Sequence, residues 1–466
     1  MSKPIRLIET EWPDYTAAPL PVGSDAAVYR RRLQATRSRM ELAGFDTLIV
    51  YADREHFGTM VWLTGFDPRF EEALLVVSKD RLPLFIVGNE CENYLGASPM
   101  CAAGEIRHER YQPFSLINQP RADSRQLAEI LAGEGIGSGS RVGVAGWKYF
   151  TEGEHPDPAH AIEAPSFIAD TLRALAGYDA VTNQTAMFMN PLDGLRTIAD
   201  ADDIALFEHA NSVVSRSVRA MIFAMREGMS DFEVLQAAGM NGMPLGCHPT
   251  FCTGDSAPLG LAGPSGNTLQ LGRPLSFNMC VWRANCCRAG WLAHGANDLP
   301  EPSRDYVEAF AGPYVQALDR WFSMMRPGVS GGAVKAEVDR LLPFDKFGVF
   351  LNPGHLIDTD EWLSSPIFQG SQMPLRSGHV MQVDIIPASP VYFSTRMEDT
   401  IVIADESLRA ELKARHPGVH ARIMARTSFM RDGMGFDVPD SMLPLSDMAG
   451  IAPPFLFNPE KLIALG

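Results

Sequence analysis

Apolar positions recur along this chain with two different periods. Residues 29–43 carry them at helical spacing, and the pattern stops at Gly44. The run Asp46-Thr-Leu-Ile-Val-Tyr51 then predicts a strand. Similar runs predict strands over 73–78, 84–87 and 141–145, and helical spacing returns over 124–132 and 166–176. Alternation of this kind predicts an α/β domain with a mostly parallel sheet. Gly135-Ile-Gly-Ser-Gly139 precedes a strand instead of following one, so it reads as a turn and not as a nucleotide loop.

The pattern changes after Asn190-Pro-Leu-Asp-Gly194. A long amphipathic helix is predicted over 200–225, and Ser230-Asp-Phe-Glu233 has the capping-box spacing that opens another. Strands follow over 249–253, 275–283 and 288–293. A third long helix covers 305–325 and ends at Arg326-Pro-Gly328, and a fourth covers 331–341. Four helices on a curved, mainly antiparallel sheet make an α+β domain. The expected layout is an N-terminal arm over 1–25, an α/β domain over 26–189, an α+β domain over 190–435 and a Pro-rich tail over 436–466.

Composition narrows the partners. The 466 residues carry a net charge of -16, which argues against nucleic acid and anionic membranes, since both need a basic surface. A small substrate is still compatible, because a local Arg can hold an anion on an acidic protein. No apolar run approaches the ~20 residues of a membrane helix, and the N-terminus has no apolar stretch of the secretory kind. Seven cysteines, an odd number with no CxxC pair, predict reduced thiols in a cytoplasmic protein and no structural zinc.

The chemistry concentrates between residues 352 and 403. Asn352-Pro-Gly-His355 comes first. Gly378-His-Val-Met-Gln-Val-Asp384-Ile-Ile-Pro387 follows, and Arg396-Met-Glu398-Asp399-Thr-Ile-Val-Ile403 closes the set. A His, an acid in a strand before a Pro, and an acid opening a second apolar strand form one half of a site for two divalent ions. His355, flanked by Asp384 and Glu398, has the chemistry of an acid or base near neutral pH.

These pieces resemble the creatinase / aminopeptidase P / methionine aminopeptidase superfamily, whose fold is the pita-bread fold. The likeness spans roughly residues 28–430. Arg37-Ser-Arg-Met-Glu-Leu-Ala-Gly-Phe-Asp46 and Val61-Trp-Leu-Thr-Gly-Phe66 are similar to the creatinase-type N-terminal domain. Leu195-Arg-Thr-Ile-Ala-Asp-Ala-Asp-Asp203 resembles the entry to the catalytic domain. Glu227-Gly-Met-Ser-Asp231 and Arg326-Pro-Gly-Val-Ser330 resemble its recurrent turns. Metal-using members hold two ions with Asp, Asp, His, Glu and Glu. The resemblance puts His355 at the His, and Asp384 and Glu398 at the two Glu positions. A gapless count puts Asn278 and Ala289 at the Asp positions, where an amide is a poor ligand and Ala is none.

The implied branch is therefore the metal-free, creatinase-like one, whose Leu-Ser-Leu-Asn is similar to Leu275-Ser-Phe-Asn278. It implies no cofactor, with a single divalent ion on His355, Asp384 and Glu398 as the alternative. Two creatinase features are not matched. The general-base His falls on Leu261, and an acid of the second hairpin strand falls near Trp291. Strand alternation predicts that Asn278, Cys280 and Trp282 share one face towards the old metal site, with Cys287 beside them. Arg283, Arg288 and Arg396 are candidate carboxylate clamps, and Trp282 with Trp291 a candidate aromatic wall. The resemblance also implies a homodimer in which Arg69 and Phe70 approach the partner's site. The function this predicts is hydrolysis of a C–N bond in a small nitrogen compound without a dimetal centre. The alternatives are an Xaa-Pro peptidase-like enzyme with one ion, a lyase, and an inactive binding protein.

Overall fold

The computed structural model describes residues 3–21 and 23–466. They form two compact units. One is Val22–Arg196, and the other joins Met1–Pro21 to Thr197–Gly466.

In the unit Val22–Arg196 the leading helix is Ala26–Ala43. Asp25 opens it by accepting hydrogen bonds from the Ala27 and Val28 amides, and Gly44, at φ 75°, ends it in the left-handed region. The predicted strands form as Thr47–Ala52, Ala73–Ser78, Leu84–Val87 and Val142–Ala145, joined by Arg107–Arg110 and Val181–Asn183 in a six-stranded sheet. As expected, most of its strand pairs, three of five, are parallel, and the exception is Ala73–Ser78, which runs antiparallel to both of its neighbours. The turn of residues 79–83 is too short for the crossover that a parallel pair requires. Ile49, Leu74, Val76, Ile86 and Val144 pack with Ile168 and Leu172 of the helix Ser166–Ala176.

In the other unit the helix Ala201–Ala224 starts at a capping box of Asp200 and Asp203 and lies along the hairpin Arg273–Val281 / Ala284–Leu292. That hairpin is the centre of a four-stranded antiparallel sheet with Arg396–Glu398 on one side and Phe251–Thr253 on the other. A second antiparallel sheet runs His355–Leu356, Val380–Gln382, Thr400–Ile403, Met442–Pro444. Glu398 ends a strand of the first sheet and Thr400 opens a strand of the second, with Asp399 alone between them.

The chain ends are parts of this unit. Ile5–Glu9 pairs with Lys461–Leu465, and Arg219 donates to the carbonyls of Trp12 and Pro13. Residues 436–466, expected as a tail, supply the strand Met442–Pro444 and bury Leu443, Leu445, Met448 and Ile451. Among the described residues no helix is long and apolar enough to cross a membrane.

Candidate active site

Three strands bring the predicted residues together. Cys287 is the register partner of both Asn278 and Glu398, so these three lie side by side across the sheet. His355 pairs with Gln382, and Asp384 follows two residues later. One ligand atom each of His355, Asp384 and Glu398 falls within 4.8 Å of the others, and all three residues are buried.

His355 presents one nitrogen to this cluster. Its Nδ1 lies 3.1 Å from the Leu356 carbonyl. That contact assigns the proton to Nδ1 and leaves Nε2 as an acceptor. Nε2 is buried with no hydrogen-bond partner, and Glu361 Oε1 stands 3.6 Å away. The ring of Trp362 stacks on the imidazole, centroids 4.1 Å apart.

Arg396 sits where the two carboxylates converge. Its Nη2 donates to Asp384 Oδ1 at 3.0 Å and to Glu398 Oε2 at 2.5 Å, while its buried Nε has no partner. Burial, with Asp384 adding to it, pushes the Glu398 carboxyl well above the ordinary range, and Arg396 pulls it back. Burial opposes the charge on Arg396, but the surrounding Cys287, Glu398 and Asp384 reverse that effect and keep the guanidinium protonated.

Two amides complete the cluster. Asn278 Nδ2 donates to Asn285 Oδ1 at 3.1 Å, and Asn285 Nδ2 donates to Glu398 Oε1 at 2.8 Å and Glu361 Oε1 at 3.3 Å. Asn278 Oδ1 accepts from the Thr250 amide at 2.6 Å and hydroxyl at 3.0 Å. The side chain on the second strand that Asn278 bonds is therefore Asn285, two residues before its register partner Cys287. The hairpin reverses through Trp282 and Arg283 alone, since Val281 pairs directly with Ala284 and Arg283 takes φ 73°. A gapless count does not see how tight this turn is. Ala289 lies farther along, opposite Ser276 and Arg396.

Other expectations change as well. Arg288 is not a clamp for substrate. It is fully buried on the opposite face, where Nη2 donates to Asp399 at 2.7 Å and to the Met448 carbonyl, Nε to the Ile451 carbonyl and Nη1 to the Cys287 and Glu398 carbonyls. Trp291 forms no aromatic wall, because its ring is buried against Tyr306 and its Nε1 donates to the Tyr392 carbonyl. Trp282 occupies the turn and does not continue the strand alternation. Cys280 and Cys287 are buried; the neighbouring Cys247, followed by burial, raises the Cys280 thiol, burial raises the Cys287 thiol, and Glu398 adds to each. Leu261 is exposed, and its carbonyl lies 2.8 Å from His248 Nε2. Arg69 and Phe70 lie in the other unit. Arg69 pairs with Asp67 at 3.1 Å, and Phe70 is exposed. Asn285, Glu361 and Trp362 were not anticipated. Asp358-Thr-Asp-Glu361-Trp362, an acidic stretch just beyond His355, was the available signal for the last two.

The donor set bears on the metal question directly. His355, Asp384 and Glu398 are three ordinary ligands, enough for one ion. The side chains beside them are two amides, Asn278 and Asn285, and a guanidinium already delivers its positive charge to the two carboxylates. These residues do not fit a two-ion centre.

With this geometry the chain can be set beside solved structures. It superposes on a prolidase from Thermococcus sibiricus with a TM-score of 0.63 at 17% identity, covering 82% of this chain and 96% of that one. Dipeptidase PepE from Mycobacterium ulcerans matches with a TM-score of 0.60 at 18% identity, over 82% of this chain and 95% of that one. Escherichia coli aminopeptidase P gives 0.56 at 14%, over 84% and 99%. The fold is the pita-bread fold. Thr197–Gly466 holds its catalytic domain and Val22–Arg196 the N-terminal α/β domain. No protein-family model and no curated protein sequence matches the chain. At these identities the likeness carries the pita-bread architecture, and the chemistry has to be argued from the residues.

Proposed function

We propose that this protein hydrolyses a C–N bond in a small nitrogen compound without a two-metal centre, using the His355–Asp384–Glu398 cluster. The observation that carries this reading is Arg396 Nη2, which bonds both carboxylates beside a free His355 Nε2. In this mechanism Nε2 takes a proton from the attacking group, and Glu361, 3.6 Å away, stabilises the imidazolium that forms. Glu398, pushed upwards by burial, returns a proton to the leaving nitrogen. Asp384 and Arg396 hold Glu398 in place, and Asn285 fixes its second oxygen. Trp362 covers the imidazole and limits solvent access. The acidic chain and its free thiols support a cytoplasmic enzyme acting on a small molecule. A homodimer that brings Arg69 and Phe70 to the partner's site is part of the same reading.

A second reading rests on the 4.8 Å spacing of His355, Asp384 and Glu398, which suits a hydrolase with one ion. Elemental analysis of purified protein separates the two. No stoichiometric Mn, Fe, Co or Zn, with turnover on a panel of small amides, ureas and amidines that survives chelation, is the expected result. One equivalent whose removal abolishes turnover establishes the second reading. Two equivalents overturn both.

A further inference from the structure

The two buried amides of the cluster form a chain with only one possible direction. A side-chain amide can face either way round, but a backbone N–H can only donate. The Thr250 amide, 2.6 Å from Asn278, therefore fixes the Oδ1 of Asn278 towards itself, and the Thr250 hydroxyl joins it at 3.0 Å. Nδ2 of Asn278 must then face Asn285, which meets it with Oδ1 at 3.1 Å. That leaves Nδ2 of Asn285 to donate to Glu398 Oε1 at 2.8 Å and Glu361 Oε1 at 3.3 Å. Two carboxyl oxygens at the far end call for donors, so both ends of the chain impose the same direction. Neither amide can turn over without setting oxygen against oxygen.

The far end of this chain holds a loop. Glu361 lies at the tip of a small hairpin closed by Leu356 and Ser364, where the Leu356 amide donates to the Ser364 carbonyl at 2.6 Å and the Leu363 amide to the Leu356 carbonyl at 2.9 Å. The tip, residues 358–362, has no regular structure of its own. It carries the carboxylate 3.6 Å from His355 Nε2 and the Trp362 ring stacked on the imidazole. Trp362 is exposed on its outer side. Among the described residues the one hydrogen-bond donor to Glu361 is Asn285. A single amide on the sheet thus ties down the segment that brings two groups to His355.

We propose that Asn278 and Asn285 are positioning residues, a one-way amide chain that starts at the Thr250 backbone and holds Glu361, and with it Trp362, against His355. Its consequence for turnover rests on the proposed C–N hydrolysis. The positioning itself can be read without a substrate. Asn278 acts only through Asn285, so the two residues are one device and not two independent contributions.

The test uses the full-length protein labelled with fluorotryptophan and read by fluorine NMR, the Trp362 resonance being the one lost in Trp362→Phe. Asn285→Ala and Asn278→Asp should each move or broaden that resonance and leave those of Trp12 and Trp147 in place. Asn278→Asp sets an oxygen against Asn285 Oδ1, and Asn278→Ala, which removes the same donor without adding charge, carries the test should the acid prevent folding. The double variant of Asn278 and Asn285 should match Asn285→Ala alone, and each variant should lower kcat by up to about 10²-fold on any substrate found. An unmoved Trp362 resonance in Asn285→Ala, or effects of the two single variants that add in the double, overturns the proposal. A shifted resonance in a protein that hydrolyses no C–N bond upholds this inference and overturns the proposed function. C–N hydrolysis with a Trp362 resonance indifferent to Asn285→Ala does the reverse.

Discussion

Two arginines, one fully buried and one partly exposed, stand on neighbouring strands of one sheet and have opposite surroundings. Arg288 has one carboxylate, Asp399, and carbonyl acceptors for its other nitrogens. Arg396 shares one nitrogen between Asp384 and Glu398 and leaves Nε without a partner. Glu398 and Asp399 are adjacent in sequence, yet alternation along the strand sends one to each arginine. The first group balances charge and fills every hydrogen bond, as a structural ion pair must when it is removed from water. The second has surplus negative charge and unmet hydrogen-bonding capacity. In this sheet the satisfied face is architecture, and the unsatisfied face is where chemistry is available.

The sharpest way to break this contrast is Arg288→Met. It leaves Asp399 buried and uncompensated, and should cost about 3–5 kcal/mol, a large part of the total stability of an ordinary domain. Denaturant unfolding reads it. A variant as stable as the wild type would show that the satisfied group is dispensable.

On the other face, His355→Gln should lower turnover by about 10²–10⁴-fold with an unchanged melting temperature. Wild-type turnover in this variant would remove His355 from the mechanism.

Arg396→Met should cost less than Arg288→Met, about 1–3 kcal/mol at neutral pH, because its carboxylates can take up protons instead. The sign of the pH dependence follows from that. Burial already raises Glu398, and loss of the guanidinium raises it further. The variant should therefore be most stable at low pH and lose stability as pH rises through the folded-state value. Mn²⁺ or Zn²⁺ should raise the melting temperature of this variant more than that of the wild type. An equal response in both would show that Arg396 does not compete with a cation.

The smallest effect belongs to a third arginine group, on the surface. Arg320 and Arg340 flank Glu337 at 3.0 and 2.8 Å, and the hydrogen bond from Arg340 leads in lowering its carboxyl to about 2. Its stabilisation is present above the ordinary Glu value and lost as pH falls towards about 2. Solvent screens it, so Glu337→Gln should cost under about 1 kcal/mol, and added salt should shrink the difference.

Much of this molecule was legible in its sequence, for identifiable reasons. Strands such as Ala73–Ser78 and Leu84–Val87 are fully buried runs of β-branched and aliphatic residues, and helix starts at Asp200 and Ser230 carry side chains that cap backbone amides. His355, Asp384 and Glu398 could be placed because each lies in or beside a short strand with a recognisable neighbourhood. Turn length was not legible, since Trp-Arg is a poor turn signature and Arg283 adopts a positive φ that few Arg residues take. That cost the assignment of Asn285. Proximity along the chain also misled. Arg288 and Arg396 both border the site in sequence, and only the strand register separates them. Glu361, Trp362 and Cys247 reach the cluster from irregular segments, which periodicity does not describe.

The turn at Trp282 and Arg283 has one more consequence, a matter of parity. With this two-residue turn Asn278 pairs with Cys287, and Asn285, two residues earlier, shares the face of Cys287 and reaches the Asn278 amide. An odd change would invert the phase of the strand, turning Arg288 and Cys286 into the cluster and sending Asn285 and Cys287 towards Met448 and Ile451. The length of this hairpin can therefore be edited only in steps of two, by selection or by design, without exchanging the two faces of the sheet.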